Sequence, residues 1–196
     1  SIADYVEWIL MSRSTTPKNE SNLRRRRQSK LSSGLDITRD HLLGKKISIL
    51  QPKEGFRVGT DAVFLAASLN VNHGRILDLG AGVGGVSLCL ACRLDKAQIT
   101  AVELDPILVS LARRNVLANG FDSRIQIVSG NVGALPQSLS NSFDHVVSNP
   151  PYHYAAGTKP QNSQRALAHM GDDLTLGEWV KAALWAVKPR GRISFI

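Results

Sequence analysis

Asn149, Pro150, Pro151 and Tyr152 are the residues of this chain best suited to holding a planar amine. A nitrogen conjugated to a ring or a carbonyl is a poor nucleophile. A site that makes it react must grip its NH2 group and draw the lone pair out of conjugation. The Asn149 side-chain oxygen and the Pro150 carbonyl can accept the two N–H bonds. The prolines stiffen the direction of that carbonyl, and Tyr152 offers a face on which a flipped-out base can stack, worth roughly 1–3 kcal/mol. Catalysis would then be mostly positioning and electrostatics, with an in-line attack that needs no strong general base in advance.

A second group lies upstream. Asp78-Leu79-Gly80-Ala81-Gly82-Val83-Gly84-Gly85 leaves a β-type run and enters a helical pattern, and missing β-carbons in such a turn let a ligand approach the backbone. Glu103 follows about twenty residues on, where a carboxylate can accept hydrogen bonds from a ribose diol. Gly80, Gly82 and Gly85 also satisfy the spacing of dinucleotide-binding turns. Asp78 favours S-adenosylmethionine, since a carboxylate there suits a cationic sulfonium and amino group better than a pyrophosphate. Asn131 is placed either to address an adenine edge or to cap a polar loop.

Elements that could position these groups can be read from periodicity. Ile47 to Gln51 and Phe56 to Val58 flank a Pro-Lys-Glu-Gly turn, as a hairpin would. Thr60 is the expected cap of a helix through Leu69, with Asp61 in its first turn. Strands are predicted at 75–79, 98–103, 125–129, 143–148 and 192–196. Helices are predicted at 85–94, from Asp105 and Pro106 to Gly120, and at about 175–187, stopped by Pro189. Strands alternating with helices imply a mostly parallel α/β sheet with helices on both faces and a site at the carboxyl ends of the strands. The chain stops inside the last predicted strand, so the final strands of a complete sheet are expected beyond it.

The formal net charge is +8, and before Leu35 seven basic residues, Arg24, Arg25, Arg26 and Arg27 among them, face three acidic ones, a net +4. Residues 1–40 read as a basic, flexible arm and 41–196 as the catalytic domain. Such a cluster either attracts nucleic acid by releasing its counterions or is simply solvated. Cys89 and Cys92 sit in an apolar helical pattern and read as buried thiols of a reducing compartment rather than a metal pair. No metal site is expected. Neither a secretory leader nor a membrane-length apolar run is present, so a cytoplasmic location is expected. Trp179 and Trp185 are read as core residues, and His145 and His153 as surface or hydrogen-bonding ones.

Asp78 to Gly84 and Asn149 to Tyr152, in this order, resemble the class I S-adenosylmethionine-dependent methyltransferases of the Asn-Pro-Pro-Tyr type, with their Rossmann-like fold. With Gln51 to Ala67 added and the last segment carried to His153, the similarity extends to the bacterial tRNA adenine-N6 methyltransferases acting on valine tRNA, over roughly residues 42–196. The resemblance implies that Arg57, Gly59, Thr60 and Asp61 close over the cofactor and that Asp78, Gly80, Gly82, Glu103 and Asn131 bind it. It further implies that Asn149, Pro150, Pro151 and Tyr152 hold the target amine of an RNA. The arm is longer than the family leads one to expect. Lys159, Arg165 and His169, in a long polar loop beside the clamp, are expected with Arg24 to Arg27 to contact phosphates. Three other functions remain open: methylation of a protein glutamine amide, methylation of guanine N2 in ribosomal RNA, and RNA binding without catalysis.

Overall fold

The alternation of apolar residues along the central strands dictates two cores, one on each face of a sheet. In the computed structural model, which describes residues 36–55, 57–71, 73–151 and 174–196, the elements in chain order are β1 (Ile37–Leu42), β2 (Ile47–Pro52), α1 (Thr60–Ser68), β3 (His73–Leu79), α2 (Gly85–Arg93), β4 (Lys96–Glu103), α3 (Pro106–Ala118), β5 (Ile125–Ser129), β6 (Phe143–Ser148), α4 (Leu176–Ala186) and β7 (Val187–Phe195). Strands β5-β4-β3-β6-β7 form a five-stranded parallel sheet in that order. On one face Ile76 and Val147 pack with Leu65 of α1, Leu88 of α2 and Leu111 of α3. On the other, Leu77, Leu79 and Val146 pack with Trp179 and Ala183 of α4. The expected Rossmann-like architecture with helices on both faces is observed.

Local chemistry explains the boundaries. Asp105 caps α3, its carboxylate accepting the Ile107 N–H at 2.7 Å, and Pro106 takes the first helical position, where no N–H is needed. Thr175 and Glu178 cap α4 reciprocally. Thr60 is itself the first residue of α1, and Gly59 occupies the cap position without a side-chain bond.

The amino-terminal hairpin differs from its prediction. β2 pairs antiparallel with β1 across a Leu43–Lys46 turn, and residues 57–59 form no strand. Thr38 and Asp40 of β1 carry polar side chains that bond Arg57 and Gln51, which hid the strand from an apolar count. The strand begins at Ile37, so the last residues assigned to the arm belong to the hairpin. Likewise β7 starts at Val187 rather than Arg192, because its register jumps between Phe143↔Val187 and His145↔Arg192 and leaves Pro189 in the bulge. No helix among the described residues is long and apolar enough to cross a membrane.

Candidate active site

Parallel register brings the two sequence signatures to one rim. Leu79 is paired with both Val102 and Ser148, so Gly80, Glu103 and Asn149 come next at the carboxyl ends of three adjacent strands, each about 5 Å from its neighbour. The Ser148 hydroxyl, fully buried, donates to the Leu79 carbonyl at 2.8 Å and fixes that alignment. Pro150 is buried, Asn149 half-buried and Pro151 exposed. The Asn149 carboxamide makes no hydrogen bond among the described residues, which leaves its acceptor uncommitted. Tyr152, Lys159, Arg165, His169 and Arg24 to Arg27 lie outside the described residues, as does His153.

The glycine turn is left-handed at Gly80, Gly82 and Gly84, with φ of 66°, 57° and 88°, values that favour residues without a β-carbon. The three glycines of the fingerprint nevertheless serve different neighbours. A β-carbon on Gly80 would lie 2.5 Å from Trp179 Cη2, and one on Gly85 would lie 2.6 Å from Val58 Cγ1. Of these three, only at Gly82 would it meet open space and so leave room beside the backbone, whereas Gly80 and Gly85 are demanded by packing.

The carboxylates are fastened to this turn. Glu103 Oε2 accepts the Gly82 N–H and Oε1 the Asp105 N–H, both at 2.8 Å. One lone pair on each oxygen remains for a ligand. Burial raises its pKa, against the opposing N–H groups of Asp105, Gly82 and Leu104. Asp78 is 1% exposed and accepts the Ser87 hydroxyl at 2.6 Å. Burial pushes its pKa up to about 7, Ser87 pulls the other way, and the charge of Glu103 adds to the rise. The Asp78 carboxyl therefore faces the first turn of α2 and is not open to a ligand.

Arg57 is committed elsewhere than the sequence suggested. Its guanidinium donates to the Asp40 carboxylate at 2.7 Å, the Pro52 carbonyl at 2.8 Å and the Thr38 hydroxyl at 3.0 Å. Gln51 joins Asp40 to the Val58 N–H, and Val58 packs on Gly85. This network seats Gly59, Thr60 and Asp61, all exposed, at the start of α1 next to the start of α2. Hydrogen bonds from Gln51, then Thr38, with the Arg57 charge, hold the Asp40 carboxyl below its usual range. Asn131 caps the short helical turn Val132–Ala134, its side-chain oxygen accepting the Gly133 N–H at 2.8 Å, the role of a polar loop cap that the sequence also allowed.

The remaining residues singled out are structural. Cys89 is buried and its thiol is pushed up to about 12 by burial, the behaviour of a packing residue. His145 is buried with Nε2 3.0 Å from Ser194 Oγ. Trp179 is buried and Trp185 packs partly buried beside it. The concavity of about 530 Å³ lined by Arg75, Gln98, Arg124 and Gln126 lies at the amino ends of the strands and holds none of the candidate residues. Sequence reasoning missed Ser87, Ser148, Gln51 and Asp40, whose partners are distant in the chain, and it missed Asn115 and Asn119. For that last pair a signal existed, two asparagines at i and i+4 on the buried side of a helix.

Similarity to known proteins follows the same outline. The chain is 36% identical over 154 residues to the tRNA1(Val) (adenine(37)-N6)-methyltransferase of Haemophilus influenzae (strain PittGG), covering 78% of this chain and 66% of that one. It is 34% identical over 160 residues to the protein of the same name in Porphyromonas gingivalis (strain ATCC 33277), covering 78% and 62%. The chain thus spans somewhat under two thirds of the length of these relatives. Among solved structures, a predicted O-methyltransferase of Agrobacterium tumefaciens superposes with a TM-score of 0.54 at 27% identity, over 69% of this chain and 60% of that one. P. horikoshii TYW2 in complex with MeSAdo reaches 0.56 at 19% identity, over 78% and 48%, a likeness of fold alone. The family model described as methyltransferase small domain matches residues 55–185, from the bend before α1 to the end of α4, and so encloses the whole rim. The chain belongs to that family.

Proposed function

We propose that this chain transfers a methyl group from S-adenosylmethionine to the N6 amine of an adenine in tRNA. The observation that carries the reading is the placement of Gly82, Glu103 and Asn149 on one rim. The open face of Gly82 fits a ligand lying against the backbone, and the free lone pairs of Glu103 fit a ribose diol. The Glu103 carboxylate at the rim fits a ligand that carries positive charge. Bound there, the cofactor supplies an electrophilic methyl group on a sulfonium.

The residues of the chain do the rest. Asn149 Oδ1 and the Pro150 carbonyl accept the two N–H bonds of the adenine amine and turn its lone pair toward the methyl carbon. A cofactor held by Gly82 and Glu103 would supply the methyl to that lone pair, and its sulfur would keep the electron pair of the bond given up. The N6 proton then passes to solvent water from the amine still held by Asn149 and Pro150. The uncommitted carboxamide of half-buried Asn149 supports this role, and Tyr152 is proposed to stack the base. Basic residues Arg24 to Arg27, Lys159, Arg165 and His169 are proposed as phosphate contacts, and the cytoplasm is the proposed location. The relatives named for tRNA adenine-N6 methylation support RNA over a protein glutamine.

The test is transfer of labelled methyl to total tRNA, ribosomal RNA and protein, followed by nucleoside analysis. N6-methyladenosine in tRNA is the expected product. Label found only in protein, or only as N2-methylguanosine in ribosomal RNA, overturns the proposal.

A further inference from the structure

Among the described residues no strand lies beside the outer edge of β2, yet its peptide groups are paired. Asn115 Oδ1 accepts the Leu50 N–H at 2.7 Å and Asn115 Nδ2 donates to the Leu50 carbonyl at 2.9 Å. Asn119 repeats the arrangement on Ser48, at 2.9 Å and 2.7 Å. Four residues of helix rise about 6 Å and two residues of strand about 6.8 Å, so carboxamides at i and i+4, one in α3 and one at its carboxyl cap, act as surrogate peptides for alternate residues of β2. Of the two, only Asn115 goes on to the glycine turn: its Nδ2 also donates to the Val83 carbonyl at 2.9 Å. It is fully buried.

Val83 follows Gly82, whose N–H is held by Glu103. Two side chains of the consecutive β4 and α3 segments thus grip adjacent residues of the turn, one at the Gly82 N–H and one at the Val83 carbonyl, on either side of the peptide that joins them. We infer that Asn115 is a positioning residue for the cofactor, setting the height of Gly82 relative to Glu103 while tying both to the hairpin. Left-handed glycines have little steric preference of their own to hold the turn in place, and a misplacement of about 1 Å can cost on the order of a hundredfold in a positioned site. The inference rests on the S-adenosylmethionine reading of the rim.

The test compares Asn115→Asp with Asn119→Asp. Each replaces the donating amide by an acceptor and injures the same hairpin, but only the first strips a donor from Val83. Asn115→Asp is expected to weaken S-adenosylhomocysteine binding at least tenfold by calorimetry and to speed amide exchange at Gly82 and Gly84. Asn119→Asp should lower Tm while leaving both within about threefold of wild type. Asn115→Ser, smaller and uncharged, repeats the comparison should the aspartate variant not fold. If the Asn115 and Asn119 variants match in both affinity and exchange, the inference is overturned and Asn115 is a hairpin clamp only. Exchange needs no ligand, so a wild-type protein that binds no cofactor sinks the reading of the site separately.

Discussion

At the scale of single residues the site divides into groups that wait for a ligand and groups already satisfied. Asn149 belongs to the first kind, since its carboxamide has no partner among the described residues. Asn149→Ala is therefore expected to lower methyl transfer by at least a hundredfold while cofactor affinity stays within about threefold; a parallel loss of cofactor binding would show that the residue serves the wrong ligand. Asp78 belongs to the second kind and makes a prediction about pH. Its pKa is raised from 3.8 to about 7 by burial. Below pH about 4 the carboxyl is protonated in both folded and unfolded chains, and the native state holds its full share of stability. Between pH 4 and 7 the unfolded chain has lost that proton while the native one keeps it, so stability falls as pH rises through the window, by up to about 4 kcal/mol. Asp78→Asn keeps an acceptor for Ser87 without the charge. Its Tm should decline less than that of wild type from pH 4 to pH 8, and equal slopes for the two proteins would refute the assignment.

At the scale of elements, the glycine turn makes a prediction that separates packing from binding. Gly80→Ala drives a methyl into the Trp179 ring between the sheet and α4, and overpacking of this kind costs about 1–3 kcal/mol on top of the left-handed strain. Gly82→Ala bears the strain alone, about 1 kcal/mol, but places its methyl where a ligand must lie. Denaturant unfolding should rank Gly80→Ala as the less stable, and calorimetry with S-adenosylhomocysteine should rank Gly82→Ala as the weaker binder; the opposite ranking in either measurement contradicts the division. What the sequence disclosed about these elements follows the same line. Strands β5 and β6 could be bounded from sequence because each short β-branched run ends at once in turn-forming residues, Gly130-Asn131 and Asn149-Pro150, and α3 and α4 because their caps are local. The partners of Gly80 and Gly85, Trp179 and Val58, lie far off in the chain, so a fingerprint of glycines says that bare backbone is required without saying by what. The same distance hid the Arg57 network: the family likeness pointed Arg57 at the cofactor, whereas Asp40, in a strand with no apolar alternation, claims it.

At the scale of the whole molecule, the rim is assembled from three chain segments whose mutual register is set by two cores. A polyanionic acceptor would be gathered by the charge excess of +8, half of which precedes Leu35. Each phosphate neutralised by a lysine or arginine takes about 0.7–0.9 off the slope of log affinity against log salt. Replacing Arg24 to Arg27 together by alanine should make that slope for tRNA shallower by about 3 if all four reach the backbone, with S-adenosylhomocysteine affinity unchanged because the cofactor rim is built from other residues. Fluorescence titrations of tRNA at several salt concentrations read the slope directly. A slope that stays at its wild-type value would mean that the arginine run is merely solvated, and that the attraction for RNA comes from cations on the folded domain.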